Sequence, residues 1–68
     1  MEKTMNVFTV INNVVTQINI PVLTGNRKHS FQMYESTTIR TENGLVTIFK
    51  TRTRAEAWIQ ARKDLGIN

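Results

Sequence analysis

Six cationic side chains are the residues of this chain whose types and positions best suit the binding of an anion. Three of them alternate where the last predicted strand leads into the last predicted helix, so in an extended segment they project from one side. Guanidinium and ammonium groups placed in a row suit phosphate oxygens. The sequence therefore predicts a nucleic-acid contact surface made of Arg27, Lys28, Arg40, Lys50, Arg52 and Arg54.

The same cations also fit a solvated basic rim that binds no ligand, and the sequence leaves both interpretations open. Arg54 bears on both interpretations, because it falls at the predicted start of a helix, where a cation is unfavourable unless an anion lies nearby. If the cations contact nucleic acid, that anion is the bound ligand.

Residues that could perform catalysis are few and badly spaced. The chain has one histidine, one aspartate, two serines and no cysteine, and none of these falls in a spacing that pairs a nucleophile with a base. His29 stands beside Arg27 and Lys28, where a metal ion would be repelled. We therefore expect no enzymatic activity, no metal site and no cofactor.

Size and charge limit the class of protein further. The 68 residues carry a net charge of +4, and residues 27–68 hold all of the excess, which favours an anionic partner. A domain this small is marginally stable, so self-association into a homodimer is one way to gain stability. No signal peptide or membrane-spanning run is visible, and we expect a cytoplasmic protein.

The elements that must position the cations are predicted as an α+β fold. Residues 1–68 form a single predicted domain. Three or four strands, at about 5–49, make an antiparallel meander, and one C-terminal helix, at about 54–65, packs on one face of it. Asn12 and Asn13 suit a tight hairpin turn, and 24–29 reads as a polar loop. A third strand opens at Phe31 and continues to Arg40, and the turn at 42–44 leads into a fourth.

The C-terminal helix has the clearest local signals. Thr53 and Glu56 form a predicted capping box, and Gly66 is the predicted C-cap. Trp58 falls on the apolar face and is predicted to pack in the core, with Arg62 across its indole. Ala55, Ile59 and Leu65 share that face. Tyr34, on the predicted third strand, either covers the sheet edge or offers a stacking surface for a base.

The segment from Gly44 to Lys63 resembles part of the arm-type DNA-binding domains of phage and transposon tyrosine recombinases. The likeness lies in a turn, a strand, Phe49-Lys50-Thr51 and a short helix with Trp58, and it covers about twenty residues. It implies a sheet face that enters the major groove, with Arg40 and Lys50 near DNA and Trp58 fixing the helix to the sheet. The uncharged front of the chain, Val7 to Leu23, departs from that pattern.

Two binding functions follow as hypotheses, beside a third interpretation in which the chain is a stable domain with a purely structural or assembly role. The first is a basic module that binds nucleic acid, with DNA favoured over RNA, through strands three and four and the 27–29 segment. The second is a phage or mobile-element protein that binds and inhibits a host protein or defence complex through a sheet edge or face, since uncharged strands rich in Thr, Asn and Val suit strand addition. Clustered arginines on one face would favour the first, and an unpaired edge strand the second.

Overall fold

The computed structural model describes residues 3–42 and 44–66. They form two hairpins, each followed by a helix. The elements in chain order are β1 (Thr4–Ile11), β2 (Val14–Pro21), α1 (Gly25–Tyr34), β3 (Ser36–Thr41), β4 (Gly44–Phe49) and α2 (Arg52–Asp64).

The first hairpin forms where the sequence predicted it. Asn12 and Asn13 have φ angles of 51° and 64°, as a two-residue type I′ turn requires of both central residues. Asparagine tolerates this left-handed region better than most residues do. β1 and β2 then pair through eight consecutive residues without a bulge.

The four strands form one antiparallel sheet in the order β2-β1-β4-β3. The α+β class and the antiparallel sheet are therefore confirmed, but the order differs from a meander because β1 pairs with β4. That pairing is short, through Phe8 with Phe49 and Thr9 with Ile48. The buried Thr9 hydroxyl donates to the Thr47 carbonyl at 2.8 Å across the same junction.

Residues 3–42 and 44–66 contain two helices where the sequence predicted one. Residues 25–34, predicted as part of a polar loop and the start of a third strand, form α1. Phe31 is its buried residue, whereas Met33 is 58% exposed. Phe31 and Met33 were predicted to share one face of a strand, but both lie in α1, where their side chains point in different directions. Glu35, at φ 59°, ends the helix in a left-handed conformation, and β3 begins at Ser36.

The two helices cover opposite faces of the sheet. Ile48 and Phe49 are consecutive in β4, so their side chains point to opposite faces. Ile48 belongs to the same buried cluster as Phe31 of α1. The Phe49 ring contacts Trp58 of α2, with ring centroids 6.0 Å apart. The rest of the α1-side cluster consists of Val7, Ile20 and Leu23.

The start of α2 differs from the predicted capping box. The N-cap is Thr51, whose hydroxyl accepts a hydrogen bond from the Arg54 amide at 3.2 Å. Thr53 is already inside the helix, so the Thr53–Glu56 box is wrong. At the other end Gly66 has a φ of 74° and its amide donates to the Lys63 carbonyl, as a C-capping glycine does.

The predicted apolar face of α2 is confirmed except at its end. Ala55 is buried and Trp58 and Ile59 are half-buried, but Leu65 is 75% exposed. The Arg62 guanidinium lies 4.6 Å from the Trp58 ring centroid, as predicted. The strand pairing of β3 with β4 confirms the second hairpin, although Asn43 of its predicted turn lies outside the described residues. Neither helix of the described chain has the length and apolar character needed to cross a membrane.

Candidate nucleic-acid interface

Two of the six predicted cations line one cleft, although Arg40 follows Ile39, which packs against the α1-side cluster, so the Arg40 side chain leaves β3 towards the other face. Arg27, in the first turn of α1, and Arg40, on edge strand β3, both line a cleft of about 200 Å³. The end of β2 and the segment after it form the rest of its wall. None of its lining residues is acidic. The other lining residues are Ile20, Pro21, Val22, Leu23, Thr24 and Ile39.

The start of α1 adds positive potential to this cleft. The N-cap residue, Thr24, makes no side-chain capping hydrogen bond, and the first turn contains no acidic residue. The first amides of a helix have no partner within the helix, and the helix dipole places positive charge there. We refer to Arg27, Arg40, Thr24 and the first turn of α1 as the α1–β3 cleft.

Lys28 is exposed but lines a different depression. It follows Arg27 in the helix, so its side chain leaves about 100° further round the axis. It borders an apolar groove of about 290 Å³ with Met5, Val22 and Phe31. Lys28 is thus a neighbour of the α1–β3 cleft and not part of its wall.

The predicted common side of Lys50, Arg52 and Arg54 is wrong. The prediction assumed an extended segment, but α2 begins at Arg52, and residues two apart in a helix point about 200° apart. Arg52 lies over the Phe8 ring, 5.3 Å from its centroid. Lys50 is exposed between β4 and the N-cap, and its amide donates to the Glu35 carbonyl.

Arg54 is paired within the chain. Its Nη2 and Nε both donate to Glu35 Oε1, at 3.0 and 3.1 Å. The cost of a cation at the helix start predicted a nearby anion, and that anion is Glu35 itself. Arg54 therefore carries no argument for an external ligand.

Arg52 borders a cleft of mixed charge on the α2 side of the sheet. Its neighbours there include Glu56, Lys63 and Val15, so a carboxylate lies among the cations. In the α1–β3 cleft, by contrast, the charged lining residues are both arginines. Of the predicted site residues, Arg27 and Arg40 line one cleft, whereas Arg52 lines another and Arg54 pairs with Glu35.

Other residues singled out in the sequence have simpler placements. Tyr34 is 65% exposed, but it ends α1 instead of lying on a strand. His29 is exposed on α1. The described part of the chain contains no group of three or more histidine or acidic residues that could hold a metal ion.

Sequence reasoning singled out Arg27 and Arg40 but missed the helix start beside them. The local signal for that helix is weak, since Thr24 suits an N-cap but only four residues of α1 are good helix formers, Arg27, Lys28, Gln32 and Met33. Comparisons with protein-family models, with curated proteins and with solved structures found no match. The fold and the cleft define a small α+β protein with a helix on each face of its sheet and a basic cleft between α1 and β3.

Proposed function

We propose that this protein binds the phosphate backbone of DNA through the α1–β3 cleft, with Lys28 beside it. The observation that carries the proposal is that Arg27 and Arg40 both line one cleft, whose lining has no carboxylate. Each guanidinium offers a fork of donors that suits two phosphate oxygens. Free amides of the α1 first turn suit an anion at the same place.

The size of the effect follows from counterion release. Three cations that neutralise three phosphates give a slope of about −2.7 for log K against log salt. Affinity then falls about 40-fold between about 50 and about 200 mM salt. Replacing two of the three leaves a slope of about −0.9 and a fall of about 3-fold.

The test is a fluorescence-anisotropy titration of a labelled duplex and a labelled single strand at both salt concentrations. The variant is Arg27→Gln with Arg40→Gln. The matched control is Arg52→Gln with Lys63→Gln, which removes the same charge from the mixed-charge cleft. Circular dichroism and Trp58 emission check that each variant is folded.

We expect the Arg27 and Arg40 variant to lose most of the affinity and about two units of the slope, with a much smaller loss in the control. Equal losses in the two variants would mean that overall charge, and not the cleft, attracts DNA. No binding of the native protein at low salt would overturn the proposal. A preference for the single strand over the duplex would place bases, and not only phosphates, in the contact.

A second candidate is the inhibition of a host protein by a phage or mobile-element factor. The observation that favours it is the exposed apolar pair at the turn end of the first hairpin, where Ile11 and Val14 face each other at 50% and 61% exposure. Exposed apolar residues that adjoin each other suit a protein contact. Pull-down from host lysate with native protein and with Ile11→Asn, Val14→Thr tests it, and equal capture by both would reject this contact.

A further inference from the structure

The outer side of β2 is an unprotected sheet edge. β2 stands first in the sheet order, so β1 is its strand neighbour in the described chain. Its sequence, VVTQINIP, has no charged residue. Natural proteins usually protect such an edge with charges, prolines, bulges or a very short strand. β2 has eight residues in uninterrupted register with β1, no charge, and a proline only at its last position, Pro21.

The backbone groups that point outward can be identified from the register. The Val22 amide donates to the Lys3 carbonyl at 3.2 Å, so that pair is a hydrogen-bonded one. Hydrogen-bonded and non-hydrogen-bonded pairs alternate along an antiparallel ladder. The residues of β2 that face away from β1 are therefore Val15, Gln17 and Asn19. The backbone of Pro21 also faces away from β1, so the N–H that proline lacks removes no hydrogen bond to β1.

We propose that β2 pairs antiparallel with β2 of a second copy of this chain, around a two-fold axis at Gln17. The two four-stranded sheets then become one continuous sheet. Val15, Gln17 and Asn19 would supply about six backbone hydrogen bonds across the axis, two for each pair. The proposed pairing uses the outer edge of β2 at residues 15–19, whereas the α1–β3 cleft includes only the end of that strand, and the pairing does not depend on DNA binding.

The strand is complementary to itself in this register. Gln17 lies opposite its own copy, and an amide both donates and accepts, so the two side chains can bond each other. Val15 lies opposite Asn19, and Thr16 opposite Ile18. Because β2 carries no charge, two chains of net charge +4 meet there without a like-charge pair in the ladder. A nucleic acid finds no cation on this strand.

The first experiment is sedimentation equilibrium from about 1 to about 500 μM protein, a range that covers weak and tight dimers. We expect a mass of twice the 7.8 kDa of one chain at high concentration. Gln17→Lys sets two ammonium groups opposite each other, and we expect at least a tenfold weaker dimer. Gln17→Thr keeps the backbone N–H, supplies a hydroxyl that both donates and accepts, and has a high strand preference, so we expect it to dimerise as the native chain does.

Amide exchange followed by NMR locates the interface. Above the dissociation constant, the amides of Val15, Gln17 and Asn19 should be protected, and on dilution they should exchange quickly. The amides of Thr16 and Ile18 bond to β1 and should stay protected in both states. A dimer in which the first three amides exchange freely uses another surface and would overturn the proposal. A native chain that stays monomeric at every concentration would overturn it too, and would leave the edge to a partner of different sequence.

Discussion

Replacing Thr51 by alanine tests where α2 begins. Thr51 has extended backbone angles, φ −129° and ψ 157°, and its Oγ1 accepts from the Arg54 amide at 3.2 Å. This satisfies one of the amides that lack a partner inside the helix. Loss of a threonine cap costs about 1 kcal/mol of the free energy of unfolding.

In a domain of this size that loss is large enough to measure. A change of about 1 kcal/mol lowers the melting temperature by about 4–8 °C. With a urea slope of about 1 kcal/mol/M, at the low end for small proteins, the midpoint falls by about 1 M. Trp58 reports the transition well, because it is the only tryptophan and its ring packs against Phe49.

Two further variants separate the cap from a general effect of truncation. Thr51→Ser keeps the hydroxyl and should keep most of the stability. Thr53→Ala lies inside the helix, where alanine is better than threonine by up to about 0.7 kcal/mol, so its midpoint should be unchanged or slightly higher. A midpoint that falls for Thr53→Ala and stays for Thr51→Ala would refute the assigned helix start and restore the Thr53 capping box.

Three other substitutions have definite expected outcomes. Ile48→Val removes one methylene from a fully buried site and should cost about 0.5–1.5 kcal/mol by urea denaturation, so no change would mean that the site is not packed. A double-mutant cycle of Glu35→Gln and Arg54→Gln should give a coupling below about 1 kcal/mol, since both side chains are more than a third exposed, and a coupling that grows with salt would contradict an ion pair. Asn13→Ala should cost about 1 kcal/mol because of its positive φ, whereas Asn13→Gly should not, and equal losses would show that the turn has another form.

Local signals predicted the two elements that have strong local causes. The first hairpin needs two residues that accept positive φ, and Asn12 and Asn13 supply them. α2 has an apolar stripe with Trp58 at its centre and a glycine after its end. In both cases, residues close in sequence make the contacts that decide the structure.

The helix α1 could not be predicted from local sequence signals of this kind. Of its ten residues only Phe31 is buried, so the helix has almost no apolar stripe. Its stability comes from the packing of Phe31 against Val7, Ile20 and Ile48, which belong to three different strands. Such contacts depend on the sheet order, and the pairing of β1 with β4 joins residues about forty positions apart.

The start of α2 also decides which cations are left for a ligand. If residues 50–54 were extended, three cations, Lys50, Arg52 and Arg54, would point to one side. With Thr51 as the cap, Arg54 becomes the third residue of the helix and reaches Glu35, while Arg52 turns towards Phe8. The hydrogen bond that begins the helix therefore removes Arg54 from the exposed row. The missed helix α1 matters for two of the predicted sites. Glu35, which ends α1, pairs with Arg54, and the start of α1 places Arg27 at the cleft that Arg40 also lines.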